Sequence, residues 1–305
     1  MMSEFKVNTI TNRDGSYGPQ VCGITTFGSS GMQLPSGPTD FRGSRGRAVF
    51  LRGYDPGLNN TIDFVNIATT GNAQDFGDTV GSLVQFAAAG SATRGIVSGG
   101  NTPDGASYYY TFSSGGGISD FGDQTAIRRG CGACNDSTRA LFGGGKENPS
   151  PASIFYNVID SFTFSTTGDA TAFGDLTINT RQRAGCSSPT RGLFAGGYDP
   201  AVNNVIDFVT IATFGNAQDF GDLTIARSSF GGGSNSTRGL FASGFANPTN
   251  YNVIDYVTIA TLGNATDFGD TLQTGTHNTG TACSQTRALF AGGYVSPTPS
   301  TNIIS

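Results

Sequence analysis

The stretch Thr190-Arg191-Gly192-Leu193-Phe194-Ala195-Gly196-Gly197-Tyr198 decides the fold, because it comes back. Its Arg recurs as Arg47, Arg94, Arg139, Arg191, Arg238 and Arg287, at spacings of 47, 45, 52, 47 and 49 residues. A second element, Asp219-Phe220-Gly221-Asp222, recurs with its Phe at Phe76, Phe121, Phe173, Phe220 and Phe268, with Ala172 replacing the first Asp once. From each of these Phe residues to the next repeat Arg is 18 residues, and 19 in the last case. The two elements therefore belong to one rigid unit, and length varies in the segment that follows the Gly-Gly. A fixed period of this size marks a repeat architecture.

Within one unit the pattern reads as four short strands. A small-residue strand lies near 228–233, a second runs from Gly192 into the Gly-Gly, Val205 to Ile211 form a third, and Ala217 to Leu223 a short fourth. In the third, Val205, Val209 and Ile211 share one face and Ile206 and Phe208 the other, so the sheet is covered on both sides. Four antiparallel strands per unit, stacked face to face, describe a blade of a β-propeller. The Gly-Gly after an apolar strand resembles the kelch motif, although the chain has no Trp.

Composition agrees. Of 305 residues 46 are Gly, charged residues make up 13%, and there are two Lys and two Glu. Helical proteins need Ala, Leu, Glu, Lys and Gln in bulk; Thr, Ser, Asn, Val and Phe favour strands and turns. With 36% hydrophobic residues and 23 Phe, the chain can bury a core. A net charge of −5 argues against nucleic acid as a partner. No apolar run is long enough to cross a membrane, and the N-terminus carries no signal-peptide pattern. Five Cys without secreted-domain spacing argue against a disulfide framework.

The expectation is an all-β chain: a six-bladed kelch-like propeller over 36–305, closed by an N-terminal strand, preceded by an extended docking arm over 1–35. Six Arg elements face five Asp-Phe-Gly-Asp elements, and Thr39-Asp40-Phe41-Arg42-Gly43 resembles the missing copy. Asn302-Ile303-Ile304-Ser305 aligns with Asn204-Val205-Ile206-Asp207, inside a third strand, and the N-terminal segment can supply the fourth strand that this last unit lacks. Only 6 residues separate Phe41 from Arg47, so either the first blade has three strands or residues 36–43 serve there.

The N-terminal segments Phe5-Lys6-Val7-Asn8-Thr9-Ile10-Thr11-Asn12-Arg13-Asp14-Gly15-Ser16 and Gly23-Ile24-Thr25-Thr26-Phe27, leading to Gly31-Met32-Gln33-Leu34-Pro35-Ser36-Gly37, resemble attachment regions of virion structural proteins. Those proteins are tail or fibre components of marine tailed bacteriophages, especially those infecting cyanobacteria. Gly215-Asn216-Ala217-Gln218-Asp219-Phe220-Gly221-Asp222 is similar to repeats in the same group. The resemblance implies a non-enzymatic component of the virion, present in several copies, that meets other virion proteins through residues 1–35. The propeller would face a partner protein, a host receptor or a glycan. A carbohydrate-binding propeller and a capsid decoration protein are the alternatives. The resemblance brings no catalytic residues, cofactor or metal.

Candidate chemistry is sparse. Cys131-Gly132-Ala133-Cys134 lacks the second pair that a zinc site needs; Cys134 and Cys186 each precede a repeat Arg by 5 residues and read as small packing residues. His277 is the one His and has no neighbouring nucleophile or acid in sequence. Asp78, Asp123, Asp175, Asp222 and Asp270 stand too far apart for calcium and read as strand-end residues. A glycosidase pair is disfavoured because both Glu lie outside the repeat motifs. Thirteen residues before each Phe of the second element lies Asp63, Asp160, Asp207 or Asp255, with Tyr108 in the second unit. The repeat cations Arg47, Arg139, Arg191 and Arg238 are the expected partners of these carboxylates, within or between blades, and Arg94 is expected on backbone carbonyls or a neighbouring acid. Loops 54–60, 101–108, 146–156, 198–204, 245–252 and 294–302 would share one rim. Tyr54, Tyr108, Lys146, Tyr198, Phe245 and Tyr294 are their candidate contact residues; length drift without recognition accounts for these loops equally well.

Overall fold

A computed structural model of the chain describes residues 25–26, 32–33, 46–51, 60–81, 83–100, 105–148, 154–272, 279–293 and 304. The described residues form strands and no α-helix, in a propeller-like ring of antiparallel sheets. The first sheet holds Arg47–Leu51, Thr61–Asn66 and Gln74–Asp78. The second holds Phe86–Gly90, Arg94–Gly99, Ala106–Thr111 and Ser119–Asp123. The third is Gly132–Asn135, Arg139–Gly143, Val158–Thr163 and Thr171–Asp175. The fourth is Ala184–Ser187, Arg191–Tyr198, Val202–Thr210 and Gln218–Asp222. The fifth is Gly231–Ser234, Arg238–Ala242, Val253–Thr258 and Thr266–Asp270.

These are five blades where six were expected. At the sixth position stands a hairpin, Gly280–Cys283 with Ala288–Ala291, and a single bridge from Ala291 to Ile304. The count falls short because the last unit shows two strands and one bridged residue of a third. The first sheet has three strands among the described residues. Residues 36–43, expected to complete a sheet, lie outside the described residues. Of 1–35, only Thr25–Thr26 and Met32–Gln33 are described, and they pair with each other.

The Asp-Phe-Gly-Asp element turns out to be a β-bulge. In the fourth sheet Ile206 pairs with Gly221 and Asp207 with Asp219, so Phe220 is the extra residue of the outer strand. The same shift recurs in the other four sheets. A bulge frees one residue from the ladder and re-aims its side chain. Phe76, Phe121, Phe173 and Phe220 are thereby buried. Each packs on the third strand of the next sheet or the residues just after it: Phe121 on Phe162 and Phe164, Phe173 on Val209 and Ile211, Phe220 on Val257 and Ile259. Phe268 is 55% exposed, since the described residues at the sixth position include no third-strand ladder to cover it.

The Gly of the element has a steric role. A Cβ on Gly77, Gly122, Gly174 or Gly221 would lie 2.4, 2.3, 2.2 or 2.5 Å from backbone atoms of the turn glycine in the next sheet. Those turn glycines, Gly116, Gly168, Gly215 and Gly263, donate their N–H to the carbonyl of the bulged Phe at 2.6–2.9 Å. The outer edges of the first four sheets, otherwise open rows of donors and acceptors, are thus covered by the next sheet.

Near the axis the inner strands are clamped to one another. Ser187 Oγ donates to Asn135 O (2.7 Å) and accepts from Asn135 N (3.1 Å); Ser234 Oγ does the same for Ser187. The sixth-position hairpin meets the first sheet directly. Ala282, Leu289 and Ile304 pack against Ala48, Val65 and Ile67, and Arg287 Nη1 donates to Ile67 O (2.9 Å).

Candidate functional site

The most concentrated chemistry in the ring is a buried cluster that recurs three times. Asp160, Asp207 and Asp255 sit in the third strands of their sheets and are fully buried. Each is paired with an Arg whose side chain is also fully buried: Arg128 Nη2 at 3.1 Å, Arg183 Nη1 at 2.7 Å and Arg227 Nη1 at 3.0 Å. A Thr from the connection that leaves the preceding sheet completes the set. Thr125, Thr177 and Thr224 donate both backbone N–H and Oγ1–H to the carboxylates. Each guanidinium also reaches a carbonyl of the second strand: Arg128 through the same Nη2, to Phe142 (3.1 Å), and Arg183 and Arg227 through their second nitrogen, to Phe194 (3.2 Å) and Phe241 (3.1 Å). Burial pushes the Arg183 and Arg227 guanidinium groups below their usual range, and the facing carboxylates oppose that shift. A buried pair so placed fixes geometry more than it adds net stability. Its chemistry is that of a lock, since every oxygen of the carboxylate is met by donors from its own sheet or the one before.

The expected partners of these aspartates were the repeat arginines, and that pairing is corrected. Arg139 lies opposite Thr163 and Phe142 opposite Asp160, so Arg139 and Asp160 stand three ladder positions apart. Arg191 and Asp207, Arg238 and Asp255, and Arg47 and Asp63 have the same offset. Side chains alternate with period two along a strand, so an odd offset puts Arg and Asp on opposite faces. The repeat Arg instead reaches across to the next sheet. Nη1 donates to Phe112 O from Arg47 (2.9 Å), Phe164 O from Arg94 (3.0 Å), Ile211 O from Arg139 (2.6 Å) and Ile259 O from Arg191 (3.0 Å). Arg94 thus takes the carbonyl expected of it. The guanidinium groups also lie over rings, of Phe64 for Arg47, Tyr109 for Arg94, Phe208 for Arg191 and Tyr256 for Arg238, at 4.8–5.2 Å.

Sequence reading missed Arg128, Arg183 and Arg227 because they hold no common register: they precede the repeat Arg by 11, 8 and 11 residues. The Thr did leave a signal, two residues after the second Asp in Asp123-Gln124-Thr125, Asp175-Leu176-Thr177 and Asp222-Leu223-Thr224. The second sheet supports this account. There Tyr108 replaces the Asp, Val80 stands in place of the Thr and Leu83 in place of the Arg, and Leu83 and Tyr108 belong to one apolar cluster.

The candidate rim residues divide. Lys146 pairs with Arg129, and Tyr198 and Phe245 bridge to Arg181 and Ser228, so each loop begins as a short ladder on the connection that enters its own sheet. Arg181 lies over the Tyr198 ring at 5.3 Å, and burial lowers its pKa. Tyr108 lies inside a third strand opposite Val97 rather than on a loop. Tyr54, Tyr294 and His277 lie outside the described residues.

The cysteines sit where small residues were expected. Cys134 and Cys186 are buried in inner strands, Cys131 is buried just before one, and Cys283 is half-buried. Burial pushes the Cys131 thiol up, with Arg128 opposing. In a Cys22→Ser background, native protein should therefore titrate one thiol rapidly, Cys283, and expose the other three only in denaturant. Rapid modification of two or more native thiols would contradict this packing. In sequence comparisons the chain matches no family model and no curated protein.

Proposed function

We propose that this chain is a non-enzymatic structural protein of a tailed-phage particle, in which residues 1–35 dock onto another particle protein and the ring is displayed toward a partner or a host surface. The observation carrying this reading is where the repeated polar groups go. The repeat Arg, the buried Arg–Asp–Thr clusters and the Ser clamps all act between or within sheets, which makes a stiff scaffold. What differs from unit to unit lies on the rims, where binding residues concentrate on rigid scaffolds. The resemblance of the N-terminal segment to phage attachment regions supplies the setting.

The same reading makes the sixth-position hairpin a sixth blade, completed by residues 302–305 and 36–43. Deleting residues 1–30 should leave a ring that melts as the full chain does but no longer joins particles, whereas deletion of residues 36–43 should lower the melting temperature. Normal incorporation of the chain lacking 1–30 would refute the docking role. Exchanging loop 146–156 for the shorter 198–204 then reads whether that rim carries recognition.

A further inference from the structure

We propose that the groove between the second and third sheets, on the rim of the short hairpin turns, binds a carboxylate-bearing sugar; this rests on the reading of the ring as a recognition scaffold. The groove has a volume of about 370 Å³. Its floor is Phe164, whose carbonyl holds Arg94 Nη1 at 3.0 Å, while the Tyr109 ring backs the guanidinium at 4.8 Å. The guanidinium is thereby fixed before any ligand arrives. A guanidinium carries five N–H donors, and the bond to Phe164 uses one.

The walls are hydroxylic. Ser91 Oγ accepts from the N–H of Thr93 and Arg94, and Thr138 Oγ1 donates to Asp136, so these two brace the turns. Asp136 is also held by the N–H of Thr138 and Arg139. Thr93, Ser137 and Ser165 line the groove from exposed positions. One fixed cation beside three exposed hydroxyls suits a ligand with one carboxylate and several hydroxyls, because the charge-assisted bond orients the ligand and the hydroxyls read the rest.

A comparison within the ring explains why this interface is open. At the next interface Phe214 covers Arg139, with the guanidinium 4.6 Å from its ring. Phe214 directly precedes turn glycine Gly215; the residue directly before Gly168 is Thr167, and before Gly263 it is Leu262. By its place before the turn glycine Thr167 corresponds to Phe214, so the position whose ring covers Arg139 holds a small side chain in the sheet next to Arg94.

This supplies a test that spares the fold. Thr167→Phe installs the plug of the neighbouring interface, where Phe214 is itself 55% exposed. The full chain would be titrated with D-glucuronate, methyl glucoside and acetate, followed by saturation-transfer NMR. Glucuronate should bind, with methyl glucoside and acetate at least about tenfold weaker. Thr167→Phe should abolish glucuronate binding at an unchanged melting temperature, and Ser137→Ala with Ser165→Ala should weaken glucuronate but not acetate. Retained binding in Thr167→Phe, equal binding of methyl glucoside or acetate, or no glucuronate binding would each overturn the proposal. None of these results bears on particle incorporation, which tests the docking role separately.

Discussion

Replacing Arg183 by Ala should cost the ring about 3–5 kcal/mol, because it strands Asp207 as a buried, uncompensated charge. Thr177 would still donate to the carboxylate, but two neutral donors do not replace a guanidinium at 2.7 Å. The carbonyl of Phe194 would also lose its bond from Nη2. Arg191→Ala is the comparison that separates the two arginine sets. Arg191 sits nearer solvent, donates to Ile259 and Ala260 carbonyls and lies over Phe208. Its loss should cost about 1–2 kcal/mol, as for a partly exposed charged hydrogen bond with a cation–π contact. Urea melts of the two variants decide the order. A double replacement, Arg183→Met with Asp207→Asn, should recover much of the loss, since no charge is then left buried. If Arg191→Ala proved the more damaging, or the double replacement were worse than Arg183→Ala, the lock would be misassigned.

Gly185→Ala should be nearly as damaging, for a steric reason. Gly185 lies in the inner strand of the fourth sheet, and a Cβ there would stand 2.0 Å from Ala133 O and 2.6 Å from its carbonyl carbon. The obstacle is backbone, which cannot rotate away as a side chain can, so two inner strands must separate. Separation strains the Ser187–Asn135 clamp two residues on. A loss of about 3 kcal/mol, at the upper end for overpacking, is expected. Gly71→Ala is the control: nothing lies within 4 Å of its Cβ, and its stability should stay within about 0.5 kcal/mol of the parent. Equal melting temperatures for these two variants would show that the inner strands are not so closely set.

Much of the architecture was legible in the residues, and for identifiable reasons. Arg191 and Phe220 are fixed relative to their copies because each makes the same contact at the four interfaces that join the five sheets: a guanidinium on the next sheet's carbonyl, a bulged ring under the next sheet. Contacts that repeat in space must repeat in sequence. The apolar Val205 to Ile211 run announced a strand covered on both sides, and Ile206, Val209 and Ile211 are indeed buried. The bulge itself was not legible: four letters cannot say which of them leaves the ladder, and the answer depends on the register with the third strand.

By itself, then, the sequence determined the repeat, its four-strand grammar and the all-β class, since period and alternation are properties of the chain. It also determined that the third-strand Asp needed a cation, since an apolar strand cannot bury a lone carboxylate. Only the tertiary structure decided which cation. Ladder register turns Arg191 and Asp207 to opposite faces, and folding brings Arg183, with Thr177 from the preceding connection, to the buried side. The same holds for Arg128 and Arg227, which stand 11 residues before the repeat Arg where Arg183 stands 8, a difference that a long, flexible side chain absorbs. A guanidinium can reach one carboxylate from more than one backbone position, so the pairing is fixed in space and leaves no fixed spacing in the chain.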